Sequence, residues 1–208
     1  MTVSRMKTSG VMVRMERELE IALVGRLRAG DVLAFDAVYD DYNPRLLGFL
    51  LRMTKNRADA EDLLEETWLR LVSGGEELAA DTRLGPWLFT VARNLFLSYC
   101  RSRAREQAYT RDLISLWPGE LSRSPYDSAF LNEFQDRLEA ALAEVPPMYR
   151  EVLLLVGFEG LRPADAAAVC GITPEALRQR LSRARALLSQ RLKDKERSHE
   201  MVSKQVSL

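Results

Sequence analysis

The most informative polar residues lie between positions 178 and 185, where arginine, glutamine and serine alternate with apolar residues at helical spacing. On a helix that turns about 100° per residue, the apolar ones form a single stripe. The members of that stripe are Leu177, Leu181, Ala184, Leu188 and Leu192. The polar residues are Gln179, Ser182 and Arg183 on the opposite side, with Arg178, Arg180 and Arg185 on the flanks. Arginine pairs with guanine, glutamine with adenine and serine with either, and flanking arginines bind phosphates, so the pattern predicts a helix that reads duplex DNA.

The elements that must position this helix precede it directly in the sequence. A short alanine-rich helix is predicted over 163–169, followed by a turn at Gly171. Thr173 is a good N-cap and Pro174 suits the first helical position, so the basic helix is predicted from Thr173 to Ser189. This order is typical of a helix-turn-helix. The alternative interpretation is a solvated basic helix that binds nothing.

A second arginine cluster follows an aromatic helix that is predicted to begin near Pro86. The aromatic residues are Trp87, Phe89, Phe96 and Tyr99, and the arginines of 92–111 are Arg93, Arg101, Arg103, Arg105 and Arg111. Basic groups beside aromatic rings suit single-stranded or distorted DNA, whose bases can stack. The alternative is that the rings are core residues and the arginines lie at a helix C-terminus, where the helix dipole favours them.

A third cluster is acidic. Residues 58–69 contain no base and five acids, namely Asp59, Glu61, Asp62, Glu65 and Glu66. They form either a solvated helix face or a carboxylate site for a metal, but no phosphate-cradling glycine loop accompanies them. The single histidine, His199, lies in a polar tail, and Cys100 and Cys170 match no metal spacing. We therefore predict no catalytic centre, no metal and no cofactor.

The charges are sorted along the chain although they cancel overall, at 30 Lys+Arg against 30 Asp+Glu. Residues 129–171 carry seven acids and three bases, whereas residues 172–197 carry eight bases and three acids. Such blocks indicate two partners of opposite charge.

Helical periodicity runs through nearly the whole chain, which predicts an all-α fold of two small domains joined by a flexible linker. One helix is predicted from Ala34 to Met53, kinked or split at Pro44, and another over 58–72, followed by a loop over 73–86. The predicted divisions are an N-terminal extension (1–30), a first domain (31–105), a linker (106–129), a second domain (130–193) and a polar tail (194–208). No run of about 18 apolar residues and no apolar signal core occurs, so we expect a cytoplasmic protein without membrane insertion.

Five motifs together resemble one family, the bacterial extracytoplasmic-function (ECF) sigma factors. Residues 59–69 (DAEDLLEETWL) and 86–94 (PWLFTVARN) are similar to two helices of that family's first domain. Residues 145–153 (VPPMYREVL), 159–161 (EGL) and 180–185 (RLSRAR) are similar to motifs of its second domain. Departures from the family pattern are Glu65 for a usual glutamine, Ser98 for a frequent aspartate and Pro163 for a common tyrosine.

The resemblance implies a transcription initiation factor with core RNA polymerase and promoter DNA as partners. It places the contact with the polymerase β′ clamp on Asp62, Glu65 and Glu66, and a contact with the β flap on the second domain. The loop over 73–86 would capture a flipped base of the −10 element. Residues expected near that element are Thr82, Arg83, Arg93, Asn94 and Arg101. The helix 173–189 would read the −35 element, and an anti-sigma factor is an expected further partner.

Three other functions fit parts of the pattern. A stand-alone helix-turn-helix regulator would bind DNA by itself, but neither a dimer helix nor a sensor domain is evident. A metal-dependent hydrolase would use the acids of 58–66. An adaptor would bind polymerase without selecting promoters.

Overall fold

The computed structural model describes the backbone of residues 17–111 and 133–206, and the side chains of residues 17–105 and 134–197. All regular structure in these ranges is helical, which confirms the all-α prediction there. The α-helices are α1 (Arg17–Arg28), α2 (Val32–Thr54), α3 (Arg57–Gly74), α4 (Leu84–Arg111), α5 (Glu133–Glu144), α6 (Pro147–Leu153), α7 (Pro163–Cys170) and α8 (Pro174–Val206). A 3₁₀ turn (Gly75–Glu77) follows α3, and a π-helical turn (Leu154–Phe158) continues α6.

Helices α1 to α4 form the first domain, and side-chain caps fix where its helices begin. Asp31 starts α2 by accepting hydrogen bonds from the backbone N–H groups of Leu33 (2.9 Å) and Ala34 (3.4 Å). Lys55 ends α2 in a left-handed conformation, with φ at 58°. Asn56 then caps α3 by accepting from the N–H of Asp59 at 3.2 Å. The two caps reverse the chain within a few residues, so that α2 and α3 pack side by side.

Pro44 neither ends α2 nor divides it, because the helix is continuous from Val32 to Thr54. An internal proline costs a helix about 3 kcal/mol or more. Tyr42, Leu46 and Phe49 on both sides of it are buried in the core. Their burial outweighs the lost hydrogen bond, so of the two predicted alternatives, a kink or a split, the split does not occur.

Helix α1 lies within the predicted N-terminal extension, yet it packs as part of the first domain. Its residues Leu23, Val24 and Leu27 are buried in the core. The side chain of Glu20 reaches the start of α4 and accepts a hydrogen bond from the backbone N–H of Leu84 at 2.9 Å. Because the first N–H groups of a helix have no partner within it, Glu20 supplies the missing acceptor.

The segment between α3 and α4 is shorter than the predicted loop over 73–86. Helix α3 extends to Gly74, a 3₁₀ turn follows it, and α4 begins at Leu84, so the connection itself spans residues 78–83. Arg17 of α1 donates hydrogen bonds to the backbone carbonyls of Asp81 (2.6 Å) and Thr82 (3.4 Å). Arg17 also pairs with Glu20 at 2.8 Å. Helix α1 therefore fixes both the connection and the helix that follows it.

Helices α5 to α8 form the second domain. Gly171 ends α7 with φ at 64°, and Thr173 Oγ1 accepts from the N–H of Ala176 at 3.1 Å at the start of α8. The predicted short helix, glycine turn and capped basic helix are thus confirmed. The core beneath them continues into the first domain without interruption, so the two domains pack against each other.

Two helices extend beyond the predicted divisions. Helix α4 continues to Arg111, into the first residues of the predicted linker, and α8 continues to Val206, through most of the predicted polar tail. Charged residues along α8 are compatible with a solvated helix, so polarity alone does not mark its end. The rest of the predicted linker, from residue 112, lies outside the described residues.

The cap at Leu84 can be tested by substitution. Glu20→Ala leaves a buried N–H without its acceptor and should lower the free energy of unfolding by about 1–3 kcal/mol. Glu20→Gln keeps an oxygen acceptor and should lose less. Urea unfolding followed by circular dichroism measures both, with the exposed Glu18→Ala as the control. Equal stability of Glu20→Ala and Glu18→Ala would contradict this role for Glu20.

Candidate nucleic-acid interface

The exposed face of α8 has the composition predicted for base reading. Gln179, Ser182 and Arg183 are exposed. On the opposite side, Leu177 and Ala184 are completely buried and Leu181 is nearly so. The helix is held by its apolar stripe, and the polar side chains that could pair with base edges point to solvent.

The flanking arginines of α8 differ in their surroundings. Arg185 is exposed, and Arg180 is half-buried. Arg178 is exposed and forms an ion pair with Glu175, one turn earlier on the same helix. Because both partners are exposed, this pair contributes little energy and leaves Arg178 available to a stronger anion.

Arg83 and Arg93, two of the residues predicted near the −10 element, are both engaged by the second domain. Arg83 Nη1 lies 2.5 Å and 2.6 Å from the two carboxylate oxygens of Asp165, on α7. Arg93 donates from Nε to the carboxylate of Glu151, on α6. In this conformation these two guanidinium groups are occupied by carboxylates.

The other residues predicted near the −10 element are arranged differently. Thr82 is half-buried, and its carbonyl oxygen accepts from Arg17. Asn94 and Arg101 are exposed on α4, and Arg101 donates to Ser98 Oγ at 3.1 Å. Asn94 and Arg101 are therefore open to a ligand, while Arg83 and Arg93 are not.

Two further ion pairs join the domains, and no sequence pattern predicts them. Arg45 Nε lies 3.0 Å from Glu159 Oε2, and Arg52 Nη2 lies 2.6 Å from Glu139 Oε1. The guanidinium carbon of Arg52 also lies 4.8 Å from the ring centre of Phe158, within range of a cation–π interaction. In all four pairs the arginine belongs to the first domain and the carboxylate to the second.

Burial shifts the pKa of several groups near this interface. It raises the pKa of Glu159, and the neighbouring Arg45 opposes that shift. Burial, together with the adjacent carboxylate of Glu151, raises the pKa of the Cys170 thiol to about 12. Cys170 is thus a protonated thiol at neutral pH, and thiolate chemistry is not available to it.

Two acidic residues of α3, Glu61 and Glu65, line an apolar groove on the first domain. Asp62 and Glu65 are exposed, whereas Glu66 is half-buried and pairs with Arg70 at 2.9 Å. Glu65 lines the groove directly. The groove has a volume of about 270 Å³, and its apolar residues are Tyr39, Leu64, Trp68, Leu69 and Val72.

Large apolar side chains lie unusually exposed along this groove. Leu69 is 53% exposed and Val72 is 64% exposed. Trp68, which lines the same groove, donates from Nε1 to Asn43 Oδ1 at 3.0 Å, and its ring is tilted by 44° to that of Tyr39 with ring centres 4.9 Å apart. Sequence periodicity identifies the inner face of α3, but it does not explain why the apolar residues Leu69 and Val72 lie on the exposed side of the helix. An exposed apolar patch with an acidic rim is typical of a protein-binding surface.

Within the described ranges, no three histidine, cysteine, aspartate or glutamate side chains gather where they could hold a metal ion. In the same ranges no helix is both long enough and apolar enough to span a membrane.

Comparisons with known proteins agree with this geometry. Residues 38–106 match the Sigma-70 region 2 family, and residues 135–188 match the Sigma-70, region 4 family. The ECF RNA polymerase sigma factor EcfG of Rhodopseudomonas palustris is 38% identical over 70% of this chain and 78% of its own length. The ECF sigma factor SigM of Bacillus subtilis is 34% identical over 75% of this chain and 93% of its own length.

The chain belongs to the ECF sigma factors. Its fold is also similar to that of a solved sigma factor, RpoE of Bartonella quintana, in complex with the anti-sigma factor NepR. That match has a TM-score of 0.62 and 30% identity, and covers 76% of this chain and 96% of that one. CnrH, solved in complex with the cytosolic domain of CnrY, has the same fold, with a TM-score of 0.61 and 21% identity over 84% of this chain and 97% of that one.

In this sigma factor the two matched regions contain all the candidate DNA-binding and polymerase-binding residues proposed from the sequence. Region 2 holds the acidic residues of α3 and the −10 candidates, and region 4 holds the outward face of α8. Helix α1 precedes the matched part of region 2. Resemblance to the family therefore draws no attention to Glu20 or Arg17.

The exposed face of α8 should be separable from its buried stripe by stability measurements. Arg183→Ala and Ser182→Ala remove exposed groups and should change the free energy of unfolding by no more than about 0.5 kcal/mol. Leu181→Ala removes a buried side chain and should cost about 2–5 kcal/mol. Thermal unfolding monitored by circular dichroism compares the three. A large loss for Arg183→Ala would mean that its side chain supports the fold.

Proposed function

We propose that this sigma factor reads the −35 element with the outward face of α8. The residues assigned to base edges are Gln179, Ser182, Arg183 and Arg178, with Arg180 and Arg185 on the flanking phosphates. The observation that carries this proposal is the exposure of Gln179, Ser182 and Arg183 on a helix whose other face is buried. A basic, exposed helix following a glycine turn fits the width of the major groove.

The proposal assigns the −10 element to the first domain. Thr82, Arg83, Arg93, Asn94 and Arg101 would hold the opened strand, with an extruded base near the connection at 78–83. Unstacking a base costs a few kcal/mol, so contacts to the opened strand must offset that cost. Arg17 and Glu20 support this role because they fix the connection and the start of α4.

The apolar groove on α2 and α3 is the proposed contact with the β′ clamp of core polymerase. Asp62, Glu65 and Glu66 would meet basic residues of the clamp, while Leu69 and Val72 would become buried. Apolar residues at the centre with charges at the rim form the usual anatomy of a protein interface. The β-flap contact is assigned to the second domain, which exposes Phe134 and Met148.

In this proposal the protein directs transcription and carries no catalytic centre of its own. It acts in the cytoplasm, where polymerase and DNA are found. RpoE of Bartonella quintana is solved in complex with an anti-sigma factor. By analogy, we expect an anti-sigma factor for this chain. The two domains are proposed to span 31–105 and 130–193, with α1 added to the first.

Run-off transcription with core polymerase tests the −35 assignment. Arg178→Ala and Arg183→Ala should each weaken promoter use by about 1–3 kcal/mol, because each removes a base-reading arginine. Affinity for core polymerase should stay unchanged. Arg197→Ala, which removes an exposed arginine near the far end of α8, is the matched control. Full promoter selectivity in the Arg178→Ala, Arg183→Ala double variant would contradict the assignment.

A binding titration with labelled core polymerase tests the groove. The double variant Leu69→Ala, Val72→Ala should weaken that affinity by more than about 1 kcal/mol, because truncation of central apolar side chains has this effect at interfaces. Leu19→Ala removes an exposed leucine of α1 and serves as the control. Unchanged affinity in the double variant would exclude the groove as the clamp contact.

A further inference from the structure

Among the residues whose side chains the structure describes, four ion pairs join the two domains, and they are sorted by sign. Every cation comes from the first domain, and every carboxylate comes from the second. The pairs are Arg45 with Glu159, Arg52 with Glu139, Arg83 with Asp165, and Arg93 with Glu151. All four have the same polarity although the chain as a whole is neutral, so the two packed faces are electrostatically complementary.

Two of these arginines, Arg83 and Arg93, are among the three arginines assigned to the opened −10 strand. A guanidinium group binds carboxylate and phosphate through the same fork of N–H donors. Asp165 places both of its oxygens within 2.6 Å of Arg83 Nη1 and also pairs with Arg162 on its own domain, so a carboxylate occupies a donor that a phosphate would need. Glu151 and Arg93 are both largely buried, so no strand can reach Arg93 while this pair is made.

The outward face of α8 is not covered in the same conformation, since Gln179, Ser182 and Arg183 remain exposed. In this packing the two proposed DNA contacts therefore differ in their accessibility. Duplex contacts by α8 are available in it, whereas Arg83 and Arg93, two of the three arginines assigned to the single strand, are not.

We propose that the polymerase-free protein is closed by its own second domain, whose carboxylates Glu151 and Asp165 occupy the phosphate-binding positions of Arg93 and Arg83. The pairs of Glu139 with Arg52 and of Glu159 with Arg45 act as latches that hold the domains together. Opening exchanges four intramolecular ion pairs for contacts with polymerase and phosphate. This inference rests on the proposed role of Arg83 and Arg93 at the −10 element.

A single-strand binding experiment on the free protein tests the proposal. The double variant Glu151→Gln, Asp165→Asn, called the masking variant below, removes the two negative charges that pair with Arg93 and Arg83. It leaves all arginines in place. It should bind a fluorescent oligothymidine strand at least about tenfold more tightly than the wild type, because its guanidinium groups lose their internal partners. Binding to a random duplex should change much less, since α8 is exposed in both proteins.

The matched control is Asp136→Asn, Glu196→Gln. It makes the same change in net charge at two exposed residues of the second domain and its terminal helix. If the control binds the oligothymidine as tightly as the masking variant, the effect is one of net charge and the proposal is overturned. It is also overturned if the masking variant binds no more tightly than the wild type.

A second variant covers the case in which loss of Glu151 impairs folding. Glu139→Gln, Glu159→Gln alters only the latch pairs. It should increase the radius of gyration in small-angle X-ray scattering and raise oligothymidine affinity, although less than the masking variant. An expanded protein with wild-type affinity would show that closure does not mask the arginines, and would overturn the proposal.

Run-off transcription by the wild-type holoenzyme separates this inference from the proposed function. If the wild-type protein directs no promoter-specific transcription with core polymerase, the proposed function itself fails. If it does so and the masking variant behaves like its control in strand binding, only the closure by Glu151 and Asp165 is wrong.

Discussion

The guanidinium group of Arg150 is the contact on which the arrangement of the two domains depends. Arg150 is 3% exposed and donates four hydrogen bonds to backbone carbonyls. Three acceptors, on Leu142, Ala143 and Val145, lie at or just beyond the end of α5, and the fourth, on Arg52, lies near the end of α2. One cation therefore satisfies carbonyls at the C-terminal ends of helices from both domains.

The physical balance at Arg150 explains why an arginine is needed there. Burial lowers its pKa, since an ion loses its hydration in the interior. Four carbonyl acceptors and the negative ends of two helix dipoles compensate for that loss. A lysine has one nitrogen in place of three and could not reach acceptors on two helices at once. The motif at 145–153 therefore connects the two domains through Arg150 and is also a signature of the family.

Features that depend on local spacing are predictable from the sequence. The stripe of α8, its Thr173 cap and the turn at Gly171 follow from residues within one or two helical turns of each other. The acidic residues of α3 are likewise identified directly from the sequence. The same short-range patterns carry the family resemblance, which is why they indicate function as well as local structure.

Features that depend on distant residues are not predictable in the same way. The partners of Arg93, Arg83, Arg52 and Arg45 lie 58, 82, 87 and 114 residues away, so no periodicity relates them. The charge blocks indicate an external partner for the acids of 129–171, yet four of the seven bind arginines of the first domain. Pro44 and α1 escape prediction for a related reason, because their conformations depend on burial against helices far along the chain.

The zero net charge of the chain arises in part from arginines and carboxylates that pair with each other between the two domains. A neutral protein can still have a strongly basic surface if its acids are exposed elsewhere, and such a surface would bind DNA without selection. Here four of the first domain's arginines meet acids across the interface, while the basic face of α8 stays open. If the domains part only on polymerase, duplex contacts by α8 become possible before single-strand contacts by Arg83 and Arg93. The geometry then favours an order in which promoter recognition precedes strand capture.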